Sequence, residues 1–237
     1  MRVLGRQMHR HQGVGRAEAE FDREASGYDR AATQTMPGYD ELHQTLVWGI
    51  PFSPTRKFRV LELGIGTGTL SMRLLARYSH AELVGVDLSK RMIALSKAKT
   101  RRYRDRVSLV QGDLSDFPTD APYDAVVSSL AIHHLENAEK WALFRKVRKA
   151  LAPGGYFGDA DDHLPEDPVF DSRFGQVAQE LMGSAQPGAL QKAWHEHERF
   201  DHPCTLSDEL VHLEKAGFAH VDVPWRFFGQ AVVWAYR

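Results

Sequence analysis

The chain has 237 residues, 43% hydrophobic and 26% charged, ordinary globular usage that excludes wholesale disorder and supplies a full core. Thirty Lys+Arg against 31 Asp+Glu leave a net charge of −1, so this is no polycation built to grip nucleic acid. A single cysteine, Cys204, excludes a disulfide framework and a zinc ribbon and fits a reducing, cytoplasmic setting; no apolar run approaches the ~18 residues of a membrane span.

Residues 1–16 carry Arg2, Arg6, Arg10 and Arg16 with no acid before Glu18. They lack the apolar stretch of a secretory signal. A transit peptide fits that composition, and a disordered tail is the favoured reading. Phe21, Ala25 and Tyr28 at i, i+4, i+7 predict a helix over 17–32. Pro37-Gly38 breaks it and 39–48 reads as a second short helix, so 17–55 forms an N-terminal helical lid. The main domain, 56–237, opens on a buried strand at 58–63 (FRVLEL). A glycine turn follows, then a helix over 70–77, a strand over 82–86, a helix over 89–103 and strands over 107–111 and 123–128. A helix over 137–151, the turn Pro153-Gly154-Gly155 and a strand over 156–160 complete the alternation. Such β/α alternation predicts an α/β fold, a parallel sheet with helices on both faces. Residues 161–204 read as a helical cap insertion. A helix over 207–216 precedes strands over 219–225 and 228–236, too closely joined to be anything but an antiparallel hairpin at the end of the sheet.

The glycine turn is the most informative stretch. Val60-Leu-Glu-Leu-Gly-Ile-Gly-Thr-Gly68 removes Cβ atoms at 64, 66 and 68, so a ligand can approach backbone at the crevice of an open α/β sheet. The spacing is G-x-G-x-G, with Thr69 where a dinucleotide fingerprint wants its third glycine. Glu62 places a carboxylate at the lip of the turn, hostile to a pyrophosphate and suited to an ammonium. Asp87, 19 residues beyond Gly68, ends the next strand, where a carboxylate can accept both hydroxyls of a ribose. Asp113 follows the third strand, placed to take the exocyclic amine of adenine, with Leu88 and Met92 as apolar faces for the base.

With these segments in order, the chain resembles the class I S-adenosylmethionine-dependent methyltransferases. The resemblance rests on VLELGIGTG (60–68), VGVDLS (84–89), VQGDLSDFP (110–118), YDAVVSSLAIHHL (123–135) and LAPGG (151–155). It implies a Rossmann-like sheet and S-adenosyl-L-methionine as cofactor. It also implies Glu62, Gly64, Ile65, Gly66, Thr67 and Gly68 around the methionine part, Asp87 at the ribose and Asp113 with Leu114 at adenine. Ser129 and Leu130 face the sulfonium and substrate, and Tyr28 comes from the lid. The substrate implied is a small molecule with an O, N or C nucleophile, with a homodimer left open.

Methyl transfer needs the nucleophile aligned within ~3–3.5 Å of the methyl. An acidic acceptor adds the need for a base, a task suited to histidine. His133 and His134 follow the fourth strand; neighbours on a helical turn diverge by ~100°, so one of them, His133, is expected to face the cavity. The competing reading gives one histidine to capping the next helix. Tyr28 is a further candidate, or simply part of the packed stripe of its helix. Residues 159–163 (DADDH) and 194–204 (WHEHERFDHPC) are dense in His and acid and read as lining the substrate mouth or as a polar helix; His195, His197, His202 and Cys204 lack the spacing of a metal site, so no metal is expected. The basic run Lys90–Arg106 reads as a solvated helix face in preference to an RNA patch. FDREASGYD and LEKAGF (213–218) also resemble carboxy-S-adenosylmethionine synthase, with Arg199 as the candidate grip for the extra carboxylate. A non-catalytic cofactor-binding subunit is the remaining alternative.

Overall fold

The computed structural model describes residues 19, 21–23, 25–182 and 201–237. The tail 1–16, His195, His197 and Arg199 lie outside the described residues. Seven strands form one sheet: β1 (Phe58–Leu63), β2 (Ala81–Asp87), β3 (Val107–Gln111), β4 (Tyr123–Ser129), β5 (Leu151–Asp162), β6 (His220–Phe227) and β7 (Gln230–Tyr236). Their order is β3-β2-β1-β4-β5-β7-β6. β1 to β5 are parallel, and β7 runs antiparallel to both β5 and β6, the expected terminal hairpin. The described helices are α1 (Tyr28–Thr35), α2 (Tyr39–Trp48), α3 (Thr69–Arg77), α4 (Lys90–Lys99), α5 (Asn137–Ala150), α6 (Asp171–Met182) and α7 (Leu206–Ala216).

Strand periodicity distributes the core over two faces. Val60, Leu83, Ala125 and Val127 pack with Leu42 and Leu46 of α2 and Leu70, Leu74 and Leu75 of α3. Leu61, Leu63, Val126 and Phe157 pack on the other face with Leu143, Phe144 and Val147 of α5 and Leu206 and Leu213 of α7. Two tyrosines of the sheet and Tyr78, just after α3, hold the end of α2. Tyr156 Oη donates to Leu46 O (3.0 Å), Tyr78 Oη to Val47 O and Ile50 O (3.2 and 3.1 Å), and Tyr236 Oη to Gly49 O (2.8 Å). They satisfy carbonyls at the helix end that have no intrahelical partner.

Several element boundaries differ from the sequence reading: β5 begins at Leu151, so the expected turn Pro153-Gly154-Gly155 lies inside the strand, at a register shift in its pairing with β4. The single helix over 17–32 is interrupted: 25–27 form a turn and the helix restarts at Tyr28, as Ser26-Gly27 disfavour continuation. The helix over 89–103 ends at Lys99, where Thr100 Oγ1 donates to Ser96 O (2.8 Å), and Arg101–Arg106 continue as a 3-10 helix. β5 extends past Ala160 to Asp162, pairing Asp161 with Ala231 and Asp162 with Gln230, which aligns Asp159 and Asp161 on one face. The basic run is only partly a solvated face, since Arg106 donates to Tyr78 O and Ala81 O, each 3.0 Å away. No described helix is long and apolar enough to cross a membrane.

Strand order reverses between β1 and β4. The loops after these strands therefore diverge and open a crevice at the carboxyl end of the sheet.

Candidate active site

On one side of the crevice lies the glycine loop. Gly64, Gly66 and Gly68 all have positive φ (68°, 53° and 85°), which a side chain rarely tolerates. Their surroundings differ. A Cβ on Gly64 would meet Ala131 Cβ at 2.3 Å and one on Gly68 would meet Ser96 Oγ at 2.8 Å, whereas at Gly66 the nearest atom is Gly64 O, 4.0 Å away. Gly64 and Gly68 allow tight packing, and Gly66 leaves the loop open to a ligand. Ile65 turns the other way and packs on Gly85.

Three acids stand at the carboxyl ends of β1, β2 and β3, with Asp87 bonded to the glycine loop itself. Glu62 is buried and accepts from Ser71 Oγ (2.5 Å). Burial, with help from the Asp87 charge, pushes its carboxyl up to about 8. An ammonium group delivered here would supply the missing counter-charge. Asp87 accepts from Gly66 N–H (2.8 Å) and Ser89 N–H (2.9 Å); burial still raises its pKa. Asp113 Oδ1 accepts from Ser115 N–H and Oγ–H (2.8 and 2.7 Å). A carboxylate offers about four acceptor sites, so both aspartates retain capacity for ligand donors. Leu114 lies by Gly64 and Met92 is buried at the start of α4. The open cradle at Gly66, with one acid after or at the end of each of the first three strands, fits a ligand carrying an ammonium, a ribose and adenine.

The N-terminal segment closes over this loop. Asp29 of α1 accepts from Thr67 Oγ1 (2.5 Å), Thr69 Oγ1 (3.1 Å) and Lys99 Nζ (2.6 Å). Burial opposes ionisation of Asp29, but the Lys99 and Thr67 bonds outweigh it and lower its pKa. Asp22 accepts from Ser89 Oγ (2.5 Å) and Arg91 N–H (3.0 Å). Tyr28 packs with Ala32, Tyr39 and Leu130, which joins the N-terminal helices to the loop after β4. Leu130 holds φ +52° while its N–H donates to Ala160 O (2.8 Å).

The other side of the crevice carries the histidines. His133 Nδ1 bonds Asp161 Oδ1 and its N–H donates to Asp161 Oδ2 (2.8 Å). Its Nε2 faces Asp201 Oδ1 at 3.7 Å, and His134 Nδ1 approaches the same oxygen at 2.7 Å. The expected divergence of the two rings is not observed. They lie 4.0 Å apart on a 3-10 turn, with Phe21 of the lid against His134 at 4.9 Å. Neither histidine caps the next helix, because Glu136 and Glu139 form its capping box. Burial disfavours the His133 cation, yet the Asp161 charge and bond outweigh it and raise its pKa to about 9. His134 is lowered by burial and by His133.

Asp201 is held by its own segment. His202 N–H donates to His133 O (2.7 Å), Lys140 Nζ donates to His202 O, and Leu164 N–H donates to Cys204 O (2.9 Å). Burial pushes the Cys204 thiol up to about 12, so it is no nucleophile. No role was anticipated for Asp29, Lys99 or His43, and Asp161 and Asp201 were anticipated only as members of the His- and acid-rich stretches 159–163 and 194–204. His43, held neutral by burial with its pKa lowered to about 4, engages Ser129 Oγ at 2.9 Å. The alternation Asp159, Asp161, His163 could have revealed Asp161 had the strand been extended to Asp162.

Fold and site together define a Rossmann-like adenosyl-ligand protein. The methyltransferase-domain family matches residues 60–155. The chain is 30% identical to the demethylmenaquinone methyltransferase of Clavibacter sepedonicus over 221 residues, 88% of this chain and 84% of that one. It is 32% identical to an uncharacterized methyltransferase of Geobacillus kaustophilus over 151 residues, 63% of this chain, and so spans 65% of that relative's length. The solved DhpI–SAH complex superposes with a TM-score of 0.67 at 20% identity, covering 95% of this chain and 97% of that one. The chain belongs to the S-adenosylmethionine-dependent methyltransferase family.

Proposed function

We propose that this protein transfers the methyl group of S-adenosylmethionine to an O, N or C nucleophile of a small molecule. Support comes first from the open cradle at Gly66, with Glu62, Asp87 and Asp113 at the carboxyl ends of the first three strands. In this reading Glu62 receives the ammonium of the methionine part, Asp87 the ribose hydroxyls, and Asp113 with Leu114 the adenine. Bound there, the cofactor supplies an electrophilic methyl on its sulfonium. The chain's residues then bind, orient and exclude water. The α1 segment, latched through Asp29 and Asp22, shields the loop. The acceptor enters beside the 130–134 loop, where His133 and His134 position it.

At neutral pH His133 faces carboxylates through both ring nitrogens. It therefore acts as a positioning group, and the acceptor arrives as a ready nucleophile or gives up its proton elsewhere. A reducing compartment such as the cytoplasm suits the buried Cys204 thiol.

Calorimetry tests the cofactor assignment. S-adenosylhomocysteine should bind at one site per chain, and NAD should not; tighter binding of NAD would sink the reading. Mass spectrometry of a small-molecule acceptor panel, seeking one added methyl group, tests the transfer.

A further inference from the structure

We propose that His133, His134 and Asp201 form a zinc site at the acceptor end of the crevice. The inference rests on the placement of the acceptor beside the 130–134 loop. It adds a metal to a family reading that requires none.

The donor set comes first. Two imidazoles and one carboxylate present three ligand atoms, all within 4.8 Å of one another. Zinc bonds to such donors are about 2.0–2.2 Å long, which places tetrahedral ligand atoms roughly 3.2–3.5 Å apart. The separations of Asp201 Oδ1 from His134 Nδ1 and His133 Nε2, 2.7 and 3.7 Å, bracket that spacing. Nitrogen-rich donors with one oxygen suit zinc over magnesium or calcium.

The surroundings are those of a supported site. His133 Nδ1 is committed to Asp161, and the His133 N–H bonds the other oxygen of the same carboxylate. That arrangement fixes the ring and leaves Nε2 as its metal-facing atom, the carboxylate–histidine support that metal-bound histidines habitually have. Asp201 reaches the pair because its segment is strapped to them by His202 N–H to His133 O. Lys140, buried, holds the next carbonyl.

Charge also favours a cation. The carboxylates of Asp161 and Asp201 lie against the two imidazoles, so a divalent cation at Nε2 of His133 and Nδ1 of His134 would meet negative charge from Asp201 directly and from Asp161 through the ring. Three protein ligands leave a fourth position for an exogenous donor, the pattern of catalytic sites as opposed to closed structural ones. An acceptor with a hydroxyl, thiol or amine could fill it.

Cobalt is the first probe. The full chain, stripped with chelator and exchanged into clean buffer, is titrated with Co²⁺ and then with Zn²⁺. One cobalt per chain with visible four-coordinate bands is expected, displaced by an equivalent of zinc. His134→Ala and Asp201→Ala should each weaken binding at least ~100-fold. Asp161→Asn should weaken it about 10–100-fold, and thermal melts confirm that each variant is folded. His195→Ala/His197→Ala should leave the titration unchanged. Absence of the bands, equal affinity in Asp201→Ala, or loss of binding in the His195/His197 variant would each overturn the assignment. S-adenosylhomocysteine binding by the stripped protein is measured in parallel. Retained cofactor binding without cobalt binding rejects the zinc site alone, and loss of both rejects the methyltransferase reading as well.

Discussion

Glu62 shows how a single residue can serve binding at the expense of the fold. Its carboxyl is held neutral to about 8 against an ordinary 4.5. Between those values the unfolded chain ionises there and the folded chain does not, so the site removes stability as pH rises through that window. Glu62→Gln should therefore raise the urea midpoint of the ligand-free protein at pH 7 and weaken S-adenosylhomocysteine binding at least tenfold. A variant that is less stable and binds normally would contradict the ammonium role. Asp87→Ala removes acceptors for a ribose, each hydrogen bond to a charged group worth ~1.5–3 kcal/mol, and also unties Gly66 N–H. Its binding should fall by ten- to a thousandfold in calorimetry; unchanged affinity would move the ribose elsewhere. These two acids were legible in the sequence because strand ends and a glycine turn fix their location without knowledge of tertiary partners. Asp29 was not, and Asp161 and Asp201 were legible only as members of the two His- and acid-rich stretches, without their partners. Their partners are 38, 28 and 67 residues away (Thr67, His133 and His134), and no local pattern reveals such pairs.

Elements carry the next level of design. β5 places Asp159 and Asp161 on one face with His163 just beyond its end, and α7 brings Glu209 to His163 Nε2 at 2.7 Å. Burial disfavours the His163 cation, but the Glu209 bond and charge outweigh it and raise the pKa above 6.5. The ion pair contributes fully below pH 6.5 and loses its contribution as pH rises through the folded value. Urea unfolding of Glu209→Gln should thus show a deficit against wild type that is larger at pH 6 than at pH 9. A deficit independent of pH would mean that the pair acts through packing alone. The two-residue extension of β5 that builds this pin was invisible to the sequence reading. Asp161 and Asp162 are poor strand formers, imposed there by pairing with β7. The lid behaves differently, since α1 is joined to the glycine loop chiefly through Asp29. Asp29→Ala should speed amide exchange over 25–36 while leaving β1 and β4 protected. Equal exchange in both proteins would show that apolar contacts to Leu130 suffice to hold the helix.

At the scale of the whole molecule the sheet topology was readable because β/α alternation and the closing hairpin admit few arrangements. The closure of the N-terminal segment onto that sheet was only sketched, since one helix was expected where a turn at 25–27 redirects the chain. That turn lets Phe21 reach His134, Asp22 reach Ser89 and Asp29 reach Thr67. One short segment thus touches both banks of the crevice. A ligand seated between them should couple lid, glycine loop and sheet. S-adenosylhomocysteine at about 100 times its Kd should add ~2.7 kcal/mol to unfolding and raise Tm accordingly, and NAD at equal concentration should add nothing. Amide exchange should slow together over 21–36, 64–68 and 130–134, on both sides of the switch between β1 and β4. In Asp29→Ala the ligand should still protect 64–68 but no longer 21–36. Protection confined to the glycine loop in the wild type would separate the lid from cofactor binding and leave it a role with the acceptor alone.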